Sequence, residues 1–218
     1  SLSFVIDQGD DENQAETSPF DSHSVTISSD GLGTLVLAGE GGSNAQTALD
    51  TTAAGDIWDS FDDSGALTPG GGATGTNSLM YTLPSLMDGL TVKAGVGTEG
   101  QADGKEIDHT TVGFTYAYGP AKIGYQINDE DDSASGGTDL ETEIYAISFM
   151  VNDNFSISYG EHNTEKSGTA IDQEIESFQA SYSMGGVSIN LKDSEGSGLA
   201  NTANQNHEAT EVLVVFAF

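Results

Sequence analysis

The sequence predicts an all-β protein, a transmembrane antiparallel up-and-down β-barrel, on three observations. Segments of alternating apolar and polar residues run along the chain. The links between these segments are alternately short and long. Of 35 acidic residues, 32 fall in the long links. Short turns on one side of a membrane and long loops on the other give this rhythm, so the two ends of the barrel are expected to face different surroundings.

The links set the order of the elements within a single domain, residues 1–218. The short links are expected at 28–33, 84–89, 118–121, 151–154 and 184–186. The long links are expected at 7–22, 39–76, 98–109, 128–143, 161–176 and 193–211. Together they delimit 12 strands, most of them close to the ~9–11 residues that a tilted membrane strand needs.

Each strand has one apolar face and one small or polar face. Val112 and Phe114, for example, alternate with Thr111 and Gly113. A soluble sandwich buries bulky residues and tolerates charge outside, whereas the polar face here is rich in glycine and poor in charge, as a lumen wall would be. Aromatic residues near strand ends fit the girdles at membrane interfaces: Tyr116, Tyr118, Tyr145, Phe155 and Tyr159.

Composition excludes several classes of function. A net charge of −30 with five lysines and no arginine excludes nucleic acid as a partner and favours cations. Cysteine is absent, so disulfides and thiolate zinc sites are excluded. Ser1 opens directly on a strand-like run, so we expect that a signal peptide was removed or that the natural start lies upstream.

Two sequence features resemble Gram-negative outer-membrane proteins. The chain ends in an alternating strand, 211–218, whose last residue is phenylalanine. The segment 33–40, the long link 39–76 and the hairpin segments 77–84 and 89–95 resemble the constriction-loop region of general diffusion porins. This resemblance implies a passive channel, not an enzyme, in the outer membrane of a Gram-negative bacterium, with the long acidic loops extracellular.

The resemblance also implies partners and solutes. The partners would be outer-membrane lipid, two further copies in a homotrimer, and the barrel-assembly machinery, for which Phe216 and Phe218 would be the insertion signal. The solutes would be small and hydrophilic. The link 39–76 would fold into the lumen as a constriction loop anchored by Trp58 and Phe61.

The pore constriction implied by the resemblance combines loop carboxylates with wall lysines. The carboxylates are Asp50, Asp56, Asp59, Asp62 and Asp63, and the lysines are Lys93, Lys122 and Lys192. Because the acids outnumber the lysines, the channel is expected to be cation-selective. An outward loop that grips a neighbouring subunit, and solvated lysines outside the pore, remain alternatives.

The chain departs from the porin pattern in two ways. It has no arginine to oppose the loop acids. Fewer strands precede the long link than in porins, so missing N-terminal strands would bring the barrel to roughly 14–16 strands. If the chain is complete, residues 1–7 must pair with 210–218, because open edges cannot face lipid.

Consecutive acids form a candidate cation site. Asp129, Glu130, Asp131 and Asp132 are hard oxygen donors that suit a weak Ca²⁺ or Mg²⁺ site, though a solvated acidic loop tip is the alternative. No other cofactor is expected.

Two other functions remain as alternatives. An outer-membrane lipase would use serine and one of His23, His109, His162 and His207, but no G-x-S-x-G motif is present. A secreted acidic adhesin or Ca²⁺-binding surface protein would be acidic and β-rich too, but glycine–aspartate repeats of the β-solenoid type are absent.

Overall fold

Twelve strands form one antiparallel sheet in which every strand pairs with its neighbour in the chain. The computed structural model describes residues 2–5, 22–40, 57, 60–61, 77–100 and 106–217. The strands are β1 Leu2–Val5, β2 Ser22–Ser29, β3 Gly33–Glu40, β4 Ser78–Thr82, β5 Leu90–Gly100, β6 Glu106–Tyr118, β7 Ala121–Asp132, β8 Leu140–Asn152, β9 Phe155–Lys166, β10 Gln173–Met184, β11 Val187–Ser197 and β12 His207–Phe216. This confirms the predicted all-β, up-and-down topology.

The two edge strands of the sheet, β1 and β12, do not pair with each other within the described residues. The expected pairing of 1–7 with 210–218 is therefore not seen there, and the sheet is open between these edges. Since unpaired backbone groups cannot face hydrocarbon, both edges need partners in a membrane.

Tight turns join the strands at one end of the sheet, as predicted. Strands β6 and β7 are joined through Gly119 and Pro120 alone, and β10 and β11 through Gly185 and Gly186. Gly119 and Gly185 have φ of 56° and 62°, the left-handed conformation that two-residue hairpin turns require and that glycine adopts without strain.

At the opposite end the strands run further than the sequence pattern predicted. Strand β7 continues to Asp132 and β8 begins at Leu140, so the expected link 128–143 shrinks to 133–139. The links expected at 161–176 and 193–211 shrink likewise to 167–172 and 198–206. In a membrane barrel the backbone ladder can continue beyond the hydrocarbon layer, where outward side chains no longer need to be apolar.

The apolar face of the sheet points outward and the polar face inward. Val112 is 52% exposed, whereas its neighbour Thr111 is 3% exposed and hydrogen-bonded inside. We call the outward apolar residues the apolar band: Val112, Phe114, Tyr116, Ile123, Tyr125, Ile127, Tyr145, Ile147, Phe149, Phe155, Ile157, Tyr159, Phe178, Tyr182, Ile189, Leu191, Val212 and Val214. Among the described residues, no helix is long and apolar enough to cross a membrane.

Most described acidic residues also point outward, on the strand ends beyond the apolar band. We call this group the outer carboxylate belt: Glu106, Asp108, Asp129, Asp131, Glu141, Glu143, Glu161, Glu165, Glu174, Glu176, Asp193, Glu195 and Glu208. Within the belt, Glu161, Glu176, Glu195 and Glu208 lie directly opposite one another on four adjacent strands. Within the part of the chain that the structure describes, more acidic residues therefore lie on the outer face of strand ends than in the links between strands.

Candidate functional site

The inward face of β6–β11 is a wall of hydrogen-bonded polar side chains. Thr111 donates to Asn128 Oδ1 across 3.0 Å, and Gln126 donates to the same oxygen across 2.8 Å. The hydroxyls of Ser177 and Ser194 lie 2.9 Å apart. Because alternate residues of each strand reach this face, small polar residues at period 2 build a continuous polar lining.

One apolar patch interrupts this polar wall. Ile144 and Ile175 point inward, with 1% and 0% exposure, among the polar side chains of this face. Both pack in one cluster with Ile57 and Phe61 from the link between β3 and β4, each 3% exposed. The described part of this long link therefore lies inside the sheet, against the lumen face.

Gly160 provides the space for this contact. A Cβ atom at Gly160 would lie 2.5 Å from Ile57 Cδ1 and 3.1 Å from the Tyr145 carbonyl oxygen. The absent side chain leaves a notch in the wall that Ile57 fills. Nearby, Ser60 Oγ donates to Ser194 Oγ across 3.4 Å.

A second connection folds inward beside the first. The short 3₁₀ turn Leu199–Asn201, between β11 and β12, places Leu199 in the same apolar cluster with 0% exposure. The Asn201 amide donates to the carbonyl oxygens of Thr164 and Ile171, at 2.8 and 2.9 Å. Two links thus cover the wall formed by β8–β11.

The part of the wall formed by β3–β5 is more open than the part formed by β7–β10. On β7, β9 and β10, the side chains of Asn128, Thr164 and Gln179 are completely buried. Some inward residues of β3–β5, such as Thr34 and Lys93, are only partly buried, whereas Ala38 on β3 and His109 and Thr111 on β6 are buried. The more accessible part of the wall is therefore the part around Thr34 and Lys93.

The charges on the described lumen face are balanced. Four lysines point inward, and four carboxylates share that face: Lys93, Lys122, Lys166 and Lys192, with Glu99, Glu130, Asp132 and Glu211. Lys192 is 7% exposed, whereas Lys93 is only partly buried. Lys93, Lys122 and Lys192 therefore lie on the inward face, the face on which the alternation in the sequence placed them.

Other predicted site residues have mixed outcomes. Phe61 lies in the apolar cluster, and Phe216 is the last residue of β12, outward and 58% exposed. The other anchor, the five loop aspartates and the terminal residue lie outside the described residues: Trp58, Asp50, Asp56, Asp59, Asp62, Asp63 and Phe218. The sequence pattern did not single out Ile144, Ile175 or Leu199, although two large aliphatic residues on a polar face were a visible signal.

The structure divides the acidic run on β7 between two faces. Asp129 and Asp131 point outward in the carboxylate belt, while Glu130 and Asp132 point into the lumen. One ion cannot reach all four carboxylates, and among the described residues no three His, Asp or Glu side chains converge to enclose a metal. A Ca²⁺ or Mg²⁺ site using fewer of these groups stays a prediction.

A histidine and a glutamate face each other on the lumen side beyond the apolar band. His109 on β6 lies directly opposite Glu130 on β7, with 3.6 Å between Nδ1 and Oε2. The imidazole is 5% exposed, and neither ring nitrogen has a hydrogen-bond partner within the described part of the chain. Sequence inspection considered His109 only as a catalytic candidate.

The surroundings of Glu130 favour its protonated form. Burial raises the pKa of this carboxyl above its ordinary value, because the charged form loses hydration. His109 opposes this shift, while the carboxylates of Glu99, Asp132 and Asp139 add to it.

Tyrosines mark the border between the apolar band and the outer carboxylate belt. Tyr125 donates to Glu143 across 2.6 Å, and Tyr159 donates to Glu161 across 2.7 Å. Tyr125 also stacks on Tyr145, with ring centroids 6.4 Å apart. Amphipathic rings with one wet end are typical of a membrane interface.

The sheet is apolar on its outer face and polar on its inner face, and residues of an inward link pack against the inner face. This is the architecture of an outer-membrane β-barrel. No protein-family model matches the chain, and no curated protein matches it by sequence. A porin refined at 1.8 Å resolution is similar, with a TM-score of 0.64 and 12% identity over 90% of this chain and 71% of that one. The anion-selective porin from Comamonas acidovorans has a TM-score of 0.54 and 14% identity over 91% of this chain and 79% of its own. The chain therefore has the fold of Gram-negative porins.

Proposed function

We propose that this protein is a passive diffusion channel for small hydrophilic solutes and ions in the outer membrane of a Gram-negative bacterium. The observation that carries the proposal is an apolar outer band around a polar lumen face, against which Ile57 and Phe61 of the long link pack. No covalent step is needed, since solutes move down their gradient through water. The porin fold of the two neighbours supports this function. Assembly as a homotrimer and insertion by the barrel-assembly machinery are part of the proposal.

The conducting path is proposed to run along β3–β5. The wall of β8–β11 is buried beneath Ile57, Phe61 and the Leu199–Asn201 turn, whereas the wall near Lys93 is partly exposed. A solute passing between the link 39–76 and this open wall would meet Lys93 directly. Lys192 is 7% exposed and would contribute less.

Cation selectivity is the expected property of this path. Because the lysines and carboxylates of the described wall balance, the loop aspartates at 50, 56, 59, 62 and 63 would supply the excess negative charge. The outer carboxylate belt faces away from the lumen, so it contributes little to the field inside.

The test is single-channel recording in planar bilayers, with reversal potentials measured in a salt gradient. We expect discrete conductance steps and a cation-to-anion permeability ratio above one. Replacing Asp56 and Asp59 by Asn should lower the ratio, and Lys93→Gln should raise it more than Lys192→Gln. Glu174→Gln, in the outer belt, is the matched control that leaves it unchanged. Absence of conductance would refute the channel, and a ratio below one would refute the selectivity.

A further inference from the structure

His109 occupies an unusual environment on the lumen face, near the end of the barrel where the long links lie. Its side chain is only 5% exposed, and neither ring nitrogen has a hydrogen-bond partner within the described residues. Leaving a buried polar atom unpaired lowers the stability of the folded state. A second group that engages an imidazole nitrogen would remove this cost.

Glu130 is placed to share such a group with His109. The 3.6 Å between Nδ1 and Oε2 is too long for a direct hydrogen bond. It does fit two donors that bind one metal ion, since bonds of about 2.0–2.2 Å at an angle of roughly 120° span this distance. The Glu130 side chain is 18% exposed, so an ion can approach the pair from the carboxylate side.

The neighbouring charges attract cations to this pair. Glu99 and Asp132 lie on the same lumen face, where both pair with Ile107, two residues along β6 from His109. With only two protein donors in the described part of the chain, water would complete the coordination. An imidazole nitrogen among the donors favours Zn²⁺, Ni²⁺ or Cu²⁺ over Mg²⁺ or Ca²⁺.

We propose that His109 and Glu130 form a binding site for a divalent transition-metal cation of the Zn²⁺ class in the lumen. Two protein ligands make the site weak, as a site on a conduction path must be if the ion is to leave again. The role as a transit site rests on the proposed channel function, whereas the binding itself does not.

Direct binding is tested by titrating the detergent-solubilised protein with ZnCl₂, and separately with MgCl₂, in an isothermal titration calorimeter. We expect one Zn²⁺ site that is roughly tenfold or more weaker in His109→Gln and in Glu130→Gln, and tighter for Zn²⁺ than for Mg²⁺. His207→Gln, an exposed histidine on β12, is the matched control and should bind as the wild type does. Circular dichroism verifies that each variant keeps its strand content, and the two independent variants guard against misfolding of either one.

Conductance separates this proposal from the channel function. In planar bilayers, Zn²⁺ should reduce the current through the wild type and through His207→Gln but not through His109→Gln. Zn²⁺ binding in the calorimeter without any conductance would refute the channel and leave the site intact. Normal conductance with Zn²⁺ affinity unchanged in both variants, or with equal Zn²⁺ and Mg²⁺ affinities, would refute the site and leave the channel intact.

Discussion

The contact between the long link and the lumen wall can be tested by truncating its two buried apolar residues. Ile57→Ala removes three buried carbons at about 0.8 kcal/mol each, roughly 2.4 kcal/mol before any cavity cost. Phe61→Ala adds about 3–5 kcal/mol. Together the double variant should shift the docking equilibrium of the link by roughly 10³-fold or more, since each 1.4 kcal/mol is about tenfold.

The strand ladder contributes nothing to this docking, so we expect the sheet to persist while the link 39–76 leaves the lumen. Single-channel conductance should rise, because less of the lumen is filled. A protease that cleaves at aspartate should cut the link faster in the double variant. Ile147→Ala is the matched control, since Ile147 lies on the same strand as Ile144 but points outward and is 48% exposed. Conductance and cleavage rate both equal to the wild type would refute the idea that these apolar contacts hold the link.

Two predictions concern stability. The raised pKa of Glu130 means that the folded state binds this proton more tightly than the unfolded state does. The carboxyl therefore lowers the stability of the fold as the pH rises above the ordinary pKa of a glutamate. Glu130→Gln should therefore raise the melting temperature at pH 8 and have little effect at pH 4, measured by circular dichroism in detergent; a lower melting temperature at pH 8 would contradict this reasoning. Tyr125→Phe should cost about 1 kcal/mol in urea unfolding, because Glu143 loses its hydrogen bond. Tyr116→Phe is its control, and equal losses in the two variants would count against a specific role for the hydroxyl.

Alternation at period 2 was sufficient to predict the fold. Val112 and Thr111 fall on the faces that the pattern gave them, and the turn at Gly119–Pro120 lies where the sequence placed it. These features are local, since each follows from the backbone geometry of a strand or a tight turn.

The strand ends were harder to predict because their physical environment changes. Asp129–Asp132 resembles a loop in composition, yet it continues β7, since outward residues beyond the membrane face water and carry no apolar signal. The divided acidic run and the His109–Glu130 pair follow from this register, which the sequence alone could not supply.

Packing between distant segments was predicted only in part. Phe61 is buried in the apolar cluster, and an aromatic residue in a loop exposed to water needs such an apolar partner. That partner is Ile144 and Ile175, more than 80 residues away in sequence, brought together only when the sheet curves around the link. Leu199 joins them through the turn between β11 and β12, for which no local pattern exists.

Four glutamates of the outer carboxylate belt, Glu161, Glu176, Glu195 and Glu208, face one another across β9–β12 and form a short row of like charges. Two carboxylates about 6 Å apart in water repel by roughly 0.7 kcal/mol, and this repulsion acts between each neighbouring pair of strands. Dissolved salt weakens it, because the screening length shrinks from about 8 Å at physiological ionic strength to about 3 Å at 1 M. Pairing of β9–β12 should therefore be more favourable at high salt than at low salt. The turns at the other end have no such row of glutamates among the described residues, so added salt should not make them more favourable.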